Sequence, residues 1–193
     1  MATKLLAIVG SVTPPSRLLN ATKRLLDDAR LSHSDLEIEL VNLADKKIAF
    51  ADGRPAEQLG DDTAAIIASV RSADGVVIAS PVYRGSFTGA LKNLLDHLPV
   101  EALAGKPVGI IAMGATQHHF LGVDWHLRDV LAWFGALMVP TSVYLASADF
   151  VDGQVSDSAK HDLAALADAV IKLKDVAPAA GSFLGPKPLA ARR

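Results

Sequence analysis

The chain has 193 residues, half of them hydrophobic and 21% charged, with a formal net charge of −2 and no cysteine. That length and composition suit one large domain around a single core and exclude a disordered chain. The balanced charge gives no electrostatic grip on nucleic acid or an anionic membrane, and the missing cysteines exclude disulfides, thiolate metal sites and a cysteine nucleophile.

The first apolar run, LLAIV at 5–9, reads as a strand covered on both faces. It gives way to GSVTPPSR (10–17), after which Leu18, Leu25, Leu26 and Ala29 recur at helical spacing over 17–30. LEIELV (36–41) alternates Leu36, Ile38 and Leu40 with Glu37 and Glu39; its one wet face suits a sheet edge. Residues 43–60 read as a long irregular loop with one short turn. Asp61 and Asp62 then open a helix over 61–73, where acidic groups complement the helix dipole. GVVIAS (75–80) predicts a second buried strand, and 87–98 a helix with Leu91, Leu94, Leu95 and Leu98, closed by Pro99. PVGIIAM (107–113) predicts another buried strand and 119–135 a helix ended by Gly135. MVPTSVYLA (138–146) reads as a fifth strand, and 156–174 as the last helix. Residues 176–193 turn to Ala, Pro, Gly and basic groups and read as a flexible tail beyond a 1–175 domain, or as an arm laid on a neighbouring subunit. No apolar run reaches the ~18 residues of a membrane span, and the opening run is too short for a secretory signal, so the expected compartment is the cytoplasm.

Five strands alternating with five helices predict an α/β, doubly wound, five-stranded parallel sheet with helices on both faces, for which the order 2-1-3-4-5 is taken as the expected one. In such a sheet, ligands bind beyond the carboxyl ends of the strands where the order reverses. The loops there are GSVTPPSR (10–17), SPVYRGSFTG (80–89) and MGATQHH (113–119), the most unusual in the chain.

In the first loop Pro14 and Pro15 cut loop entropy and remove two amides, leaving those of Ser16, Arg17 and Leu18 for an anion. The Ser11, Thr13 and Ser16 hydroxyls and the Arg17 fork would reinforce them. Ser16 as a plain helix cap and Arg17 as a solvated side chain explain this loop equally well. In the second loop Tyr83 supplies a flat amphipathic ring, with Pro81, Gly85 and Ser86 beside it. Gly89, read as lying inside the following helix, is expected to serve a close backbone approach. This loop suits a flat heterocycle, or else Tyr83 and Ser86 merely cap their own helix. The third loop offers Gly114 with hydroxyl and amide side chains. Its adjacent histidines do not share a helix face, so no metal site is expected. Walker and GxGxxG loops and a GxSxG elbow are all absent from the sequence.

At these three loops the chain resembles the NAD(P)H-dependent FMN reductase family of flavodoxin-like proteins, and in particular the reductases of two-component monooxygenases acting on alkanesulfonates, methanesulfonate and EDTA. The family's GSxxxxSR is matched by Gly10, Ser11, Ser16 and Arg17. Its ATPVYKxxYSGxLKxLLDLLP is matched almost throughout by residues 79–99. Its TGGxxxHxLxxDxxL is matched by Gly114, His119, Leu121, Asp124 and Leu127. Ala115 stands where the family has its second glycine, and Trp125 where the alkanesulfonate group often has tyrosine.

The resemblance implies FMN and NAD(P)H as the redox pair. Ser11, Ser16, Arg17 and Leu18 would hold the phosphate, with Thr13 beside them. Pro81, Val82, Tyr83, Arg84, Gly85 and Ser86 would follow the ribityl chain and ring edge, and Gly114, Ala115, Thr116 and Gln117, with His119, would close over the rim. No catalytic acid or base is expected. The implied partners are flavin, pyridine nucleotide and a flavin-dependent monooxygenase. Two apolar stripes on helix 119–135 add a homodimer or homotetramer: Phe120, Val123, Leu127, Val130, Leu131 and Phe134 on one face, and Leu121, Trp125, Ala132 and Trp133 away from it. The alternatives are a quinone, azo-dye or metal-ion reductase with tightly held FMN, or a non-catalytic flavodoxin-like carrier. A carrier is expected to be strongly acidic, which −2 is not.

Overall fold

In the computed structural model, which describes residues 2–179, 182–188 and 191–192, the buried runs form the strands β1 (Thr3–Val9), β2 (Leu36–Asn42), β3 (Gly75–Pro81) and β4 (Pro107–Met113). All pair in parallel, as the alternation of strands and helices predicts, and with β5 (Leu137–Met138) the order is the expected β2-β1-β3-β4-β5. β2 sits at the edge, where Glu39 on its wetter face accepts from Ser69 and pairs with Lys4.

Each central strand feeds two core layers, because successive side chains point to opposite faces. Leu6, Ile8, Val76, Ile78, Val108 and Ile110 face α2 (Thr63–Ser72), α3 (Gly89–His97) and α4 (Phe120–Phe134). Leu5, Ala7, Val9, Val77, Ala79 and Ile111 face α1 (Arg17–Ser32) and α5 (Asp157–Lys174). The sheet is therefore doubly wound, with helices on both faces.

Several details differ from the sequence reading. The fifth strand is not continuous. It is split into β5 (Leu137–Met138) and β6 (Val143–Leu145), both paired with β4, with Pro140 in the gap. Proline has no amide to donate to a ladder. Arg128 fills the break from α4, donating to the carbonyls of Val139 (3.1 Å) and Pro140 (3.1 Å) while its Nε binds Asp124 at 2.9 Å. Asp124, one of the motif residues, thus serves the sheet edge. A hairpin, β7 (Phe150–Val151) and β8 (Gln154–Val155), follows β6 and is absent from the sequence reading. Phe120, placed in the buried stripe of α4, is 51% exposed, because the helix starts there and its first turn overhangs the core. The 43–60 loop holds two short 3₁₀ turns. Asp61 and Asp62 fasten it by accepting from the amides of Ala49 and Lys47.

Within the tail, Pro178 lies against Gly105, and Phe183 and Pro188 lie against Gly135, at the amino end of the sheet. The tail's Ala180, Gly181, Leu189, Ala190 and Arg193 lie outside the described residues.

One buried knot ties β1, β3 and α3 together at the carboxyl end of the sheet. Thr88 donates its hydroxyl to the Gly10 carbonyl (2.7 Å), and the same oxygen caps α3 by accepting from Leu91 N (3.1 Å). The amide of Thr88 donates to Ser80 Oγ (3.1 Å), and Gly10 N donates to Ala79 O (2.7 Å). Thr88 is 2% exposed and Ser80 fully buried, so water cannot replace these bonds. Thr88→Val keeps the shape but removes the cap and orphans a buried carbonyl. The expected loss is about 2–4 kcal/mol in urea unfolding, from a cap of ~1 kcal/mol and an unpaired carbonyl of ~1–3 kcal/mol. A loss under about 0.5 kcal/mol would show that the knot carries no stability.

Candidate functional site

The knot fixes the first two loops beside one another, and the third is joined to them directly. Val82 N donates to Met113 O (2.7 Å), linking the end of β3 to that of β4. Gly114 N donates to Leu145 O (2.9 Å), extending the row to β6. The three loops singled out in the sequence thus form one continuous rim along the carboxyl ends of β1, β3 and β4.

In the first loop Ser11 is buried, Thr13 exposed, Ser16 half-buried and Arg17 exposed. The side chain of Leu18 is buried in the core, so only its backbone faces the loop. Ser16 does cap α1, its Oγ accepting from Leu19 N at 3.2 Å. The cap and an anion cradle are compatible, since the cap uses the amide of Leu19 and leaves those of Arg17 and Leu18 at the positive end of the helix. Arg17 is neither free in solvent nor folded over the loop. Its guanidinium lies 5.0 Å from the centroid of the Phe150 ring, and Nη2 donates to Ser147 Oγ at 3.2 Å.

The second loop is a tight turn. Tyr83 and Ser86 exchange both backbone hydrogen bonds, 2.8 and 3.1 Å, around Arg84 (φ 52°) and Gly85 (φ 77°). Two left-handed residues in succession are the type I′ arrangement, which a glycine at the second position suits. Pro81 and Val82 are half-buried below the turn, while Tyr83, Arg84 and Gly85 stand at its exposed tip. α4 braces it: Ser86 Oγ lies 3.0 Å from His126 Nδ1, and a Cβ on Gly122 would come within 2.9 Å of the Gly85 carbonyl. Two sequence readings are corrected here. α3 is capped by Thr88, and Tyr83 and Ser86 have no part in that cap. Gly89 is the first residue of the helix, and a side chain there would meet nothing within 4 Å, so it serves no close approach.

The third loop is hung from Tyr144 on β6. The phenol donates to the Thr116 carbonyl at 2.6 Å, and it passes so close to Gly114 that a Cβ there would displace it. Glycine at 114 leaves the phenol its place. Burial, with a smaller contribution from Asp149, pushes the phenol above its ordinary value, so it remains a donor across neutral pH. Ala115, Thr116, Gln117 and His119 are exposed, with Thr116 Oγ1 3.5 Å from His119 Nδ1. Among the described residues no three histidine or acidic side chains gather as metal ligands.

Sequence reasoning missed Ser80, Thr88, His126 and Tyr144. Ser80 and Thr88 lay inside a stretch read for its loop, and nothing marks a threonine as a bridge between two strands' loops. Tyr144 sat in a run read as a strand; its alternate position toward the carboxyl end was the available signal.

The arrangement offers a helix mouth with two free amides, two arginines (Arg17 and Arg84), a glycine turn with exposed backbone, and a polar rim. Such a rim suits a ligand with an anionic end and a flat hydrogen-bonding end. The model of the family "NADPH-dependent FMN reductase" matches residues 3–150, which include all three loops. The chain is 36% identical over 154 residues to the NADH-dependent FMN reductase SfnF of Pseudomonas fluorescens, covering 79% of this chain and 81% of that one. It is 35% identical over 147 residues to an NAD(P)H-dependent FAD/FMN reductase of Geobacillus thermodenitrificans, covering 76% and 79%. Among solved structures it is similar to an NADH:FMN oxidoreductase (EMOB) in its apo form, at 26% identity and a TM-score of 0.75, covering 99% of this chain and 97% of that one. The chain belongs to the NADPH-dependent FMN reductase family, oxidoreductases that work with FMN and a reduced pyridine nucleotide.

Proposed function

We propose that the chain binds FMN along this rim, reduces it with NADH or NADPH, and releases it reduced to a flavin-dependent monooxygenase. The observation that carries the reading is the joining of three loops into one rim with the free amides of Arg17 and Leu18 at its end. The residues fit the cofactor. Ser11, Thr13, Ser16, Arg17 and Leu18 would hold the phosphate, which needs donors and positive charge. Pro81, Val82, Tyr83, Arg84, Gly85 and Ser86 would line the ribityl chain and the ring edge, and Gly114, Ala115, Thr116 and Gln117 the rim, with His119 steadying Thr116. FMN, when bound, supplies the redox chemistry by accepting a hydride from the nicotinamide. The chain's own residues orient the two molecules, and no side chain is assigned acid–base work. We assign the 1–175 unit to this reaction and the chain to the cytoplasm; among the described residues no helix is long and apolar enough to cross a membrane.

Exchange of the flavin is supported by how little aromatic surface the rim offers. Tyr83 stands half exposed at the turn, Phe87 packs against the core beneath it, and Phe120 lies at the start of α4. A ring held by backbone hydrogen bonds on an exposed rim lacks the two-sided stacking that retains flavins tightly. The protein is therefore expected to purify nearly colourless and to oxidise NAD(P)H only when FMN is added. Protein that stays yellow through extended dialysis would instead favour a quinone or azo reductase with resident FMN.

Arg17→Ala is expected to weaken FMN by about 1.5–3 kcal/mol and to leave riboflavin, which lacks the phosphate, nearly unchanged. Equal losses for both flavins in fluorescence titrations would remove the phosphate from this end of the rim.

We also propose a homodimer or homotetramer packed on α4. Trp125 and Trp133 are 61% and 62% exposed, and Trp133, Val130 and Phe134 line a cavity of about 480 Å³ against Leu95 of α3 and Leu98 just beyond it. Exposed tryptophans beside an apolar cavity of this kind mark contact surfaces. Light scattering at micromolar concentration is expected to give at least a dimer, and Trp133→Glu to lower the mass. A wild-type monomer would contradict the assignment.

A further inference from the structure

The pose of Arg17 is set by an element outside the three loops. The β7–β8 hairpin turns through Asp152 (φ 50°) and Gly153 (φ 77°) and is closed by Ser156 N donating to Asp149 O at 2.8 Å. Its base is fixed by Ala146 N donating to Asp149 Oδ2 at 2.7 Å. Val155 is buried in the layer between the sheet, α1 and α5, and Phe150 packs against that same layer. The Phe150 ring is therefore held by the core, and the Arg17 guanidinium rests on it 5.0 Å from its centroid.

We propose that this hairpin is a platform that pre-orients Arg17 for the flavin phosphate, with Phe150 and Ser147 as positioning residues. The proposal rests on the phosphate reading of the α1 mouth. A long arginine side chain loses much rotamer freedom when it grips a ligand, and holding it beforehand removes that cost from binding. Stacking on a ring face uses none of the guanidinium's in-plane N–H donors, and Ser147 takes one of five. The others remain for an anion. Both partners are neutral, so the positive charge also remains available to it. Arg17 is itself in the first turn of α1, so the held guanidinium and the free amides lie at the same helix end.

The test compares FMN and riboflavin affinities, by quenching of flavin fluorescence, in the full-length chain and in Phe150→Leu, Phe150→Tyr, Ser147→Ala, Arg17→Ala and the Arg17→Ala/Phe150→Leu double variant. Phe150→Leu keeps apolar bulk and removes the ring face. It is expected to weaken FMN about two- to fivefold while riboflavin stays within about twofold. Phe150→Tyr restores a ring face and should restore FMN affinity. Ser147→Ala, at an exposed position with no core role, should weaken FMN in the same selective way by about twofold. In the Arg17→Ala background Phe150→Leu should have no further effect on FMN, the signature of residues acting through one another. Equal losses for both flavins, an undiminished Phe150→Leu effect without Arg17, or unchanged FMN affinity in both Phe150→Leu and Ser147→Ala would each overturn the platform. Should Arg17→Ala weaken FMN selectively while the hairpin variants do not, the platform falls and the phosphate reading stands. If Arg17→Ala itself fails to discriminate the two flavins, both fall together.

Discussion

The Thr88 hydroxyl is where the loops of this protein become a site. It donates to the carbonyl of Gly10 at the exit of β1 and accepts from the Leu91 amide in the first turn of α3, while its own amide is held by Ser80 on β3. Parallel strands bring their carboxyl ends to one edge by topology alone, but topology does not set the height or angle of the loops above that edge. A buried oxygen with one donor bond and one acceptor bond does. Val82 N on Met113 O and Tyr144 on the Thr116 carbonyl repeat the device further along the sheet. The Thr88 bonds lie where water does not reach, so leaving them unmade is costly.

This construction suits a protein that must hold a flavin accurately and still let it go. The frame below the rim is rigid: buried hydrogen bonds, a glycine turn braced by α4, and an arginine stacked on a hairpin rooted in the core. The rim itself is exposed and short of aromatic faces. With FMN seated on this rim as proposed, accuracy would come from a pre-formed shape, and affinity would stay moderate because little surface is enclosed. Exposed aromatic surface is found on α4, in Trp125 and Trp133, the helix that meets the second loop through His126 and Ser86.

Much of this was legible in the sequence. Runs such as GVVIAS and PVGIIAM are apolar on both faces, as a covered parallel strand is, and their alternation with helical spacing points to a parallel sheet. The three loops stand out in the sequence through Pro14–Pro15, the Pro81, Tyr83 and Gly85 run, and Gly114 with its polar neighbours. What stayed hidden was tertiary. Thr88 looks like any residue before a helix, and its bond to Gly10 spans 78 positions. Gly114 was visible, but its cause, the Tyr144 phenol packed on its Cα, was not. Gly89 was misread because the helix start was set two residues early, which turned a first-turn glycine into an interior one. MVPTSVYLA looked like one strand because β-propensity outweighed its proline, and the Arg128 that fills the gap lies on another element. The hairpin at 150–155 is too short for any period to register, though Asp152–Gly153 is a hairpin turn pair.

The most direct test of the account is a map of where FMN touches the chain, by backbone amide chemical shifts during titration of the labelled protein with FMN and then with riboflavin. FMN is expected to move the amides of residues 11–13, 16–18, 82–86 and 114–117 together, and riboflavin to reproduce the shifts at 82–86 and 114–117 while sparing Ser16, Arg17 and Leu18. Shifts concentrated instead in the α3–α4 cavity, or around Thr141 and Ser142 in the break of the fifth strand, would place the flavin elsewhere and contradict it.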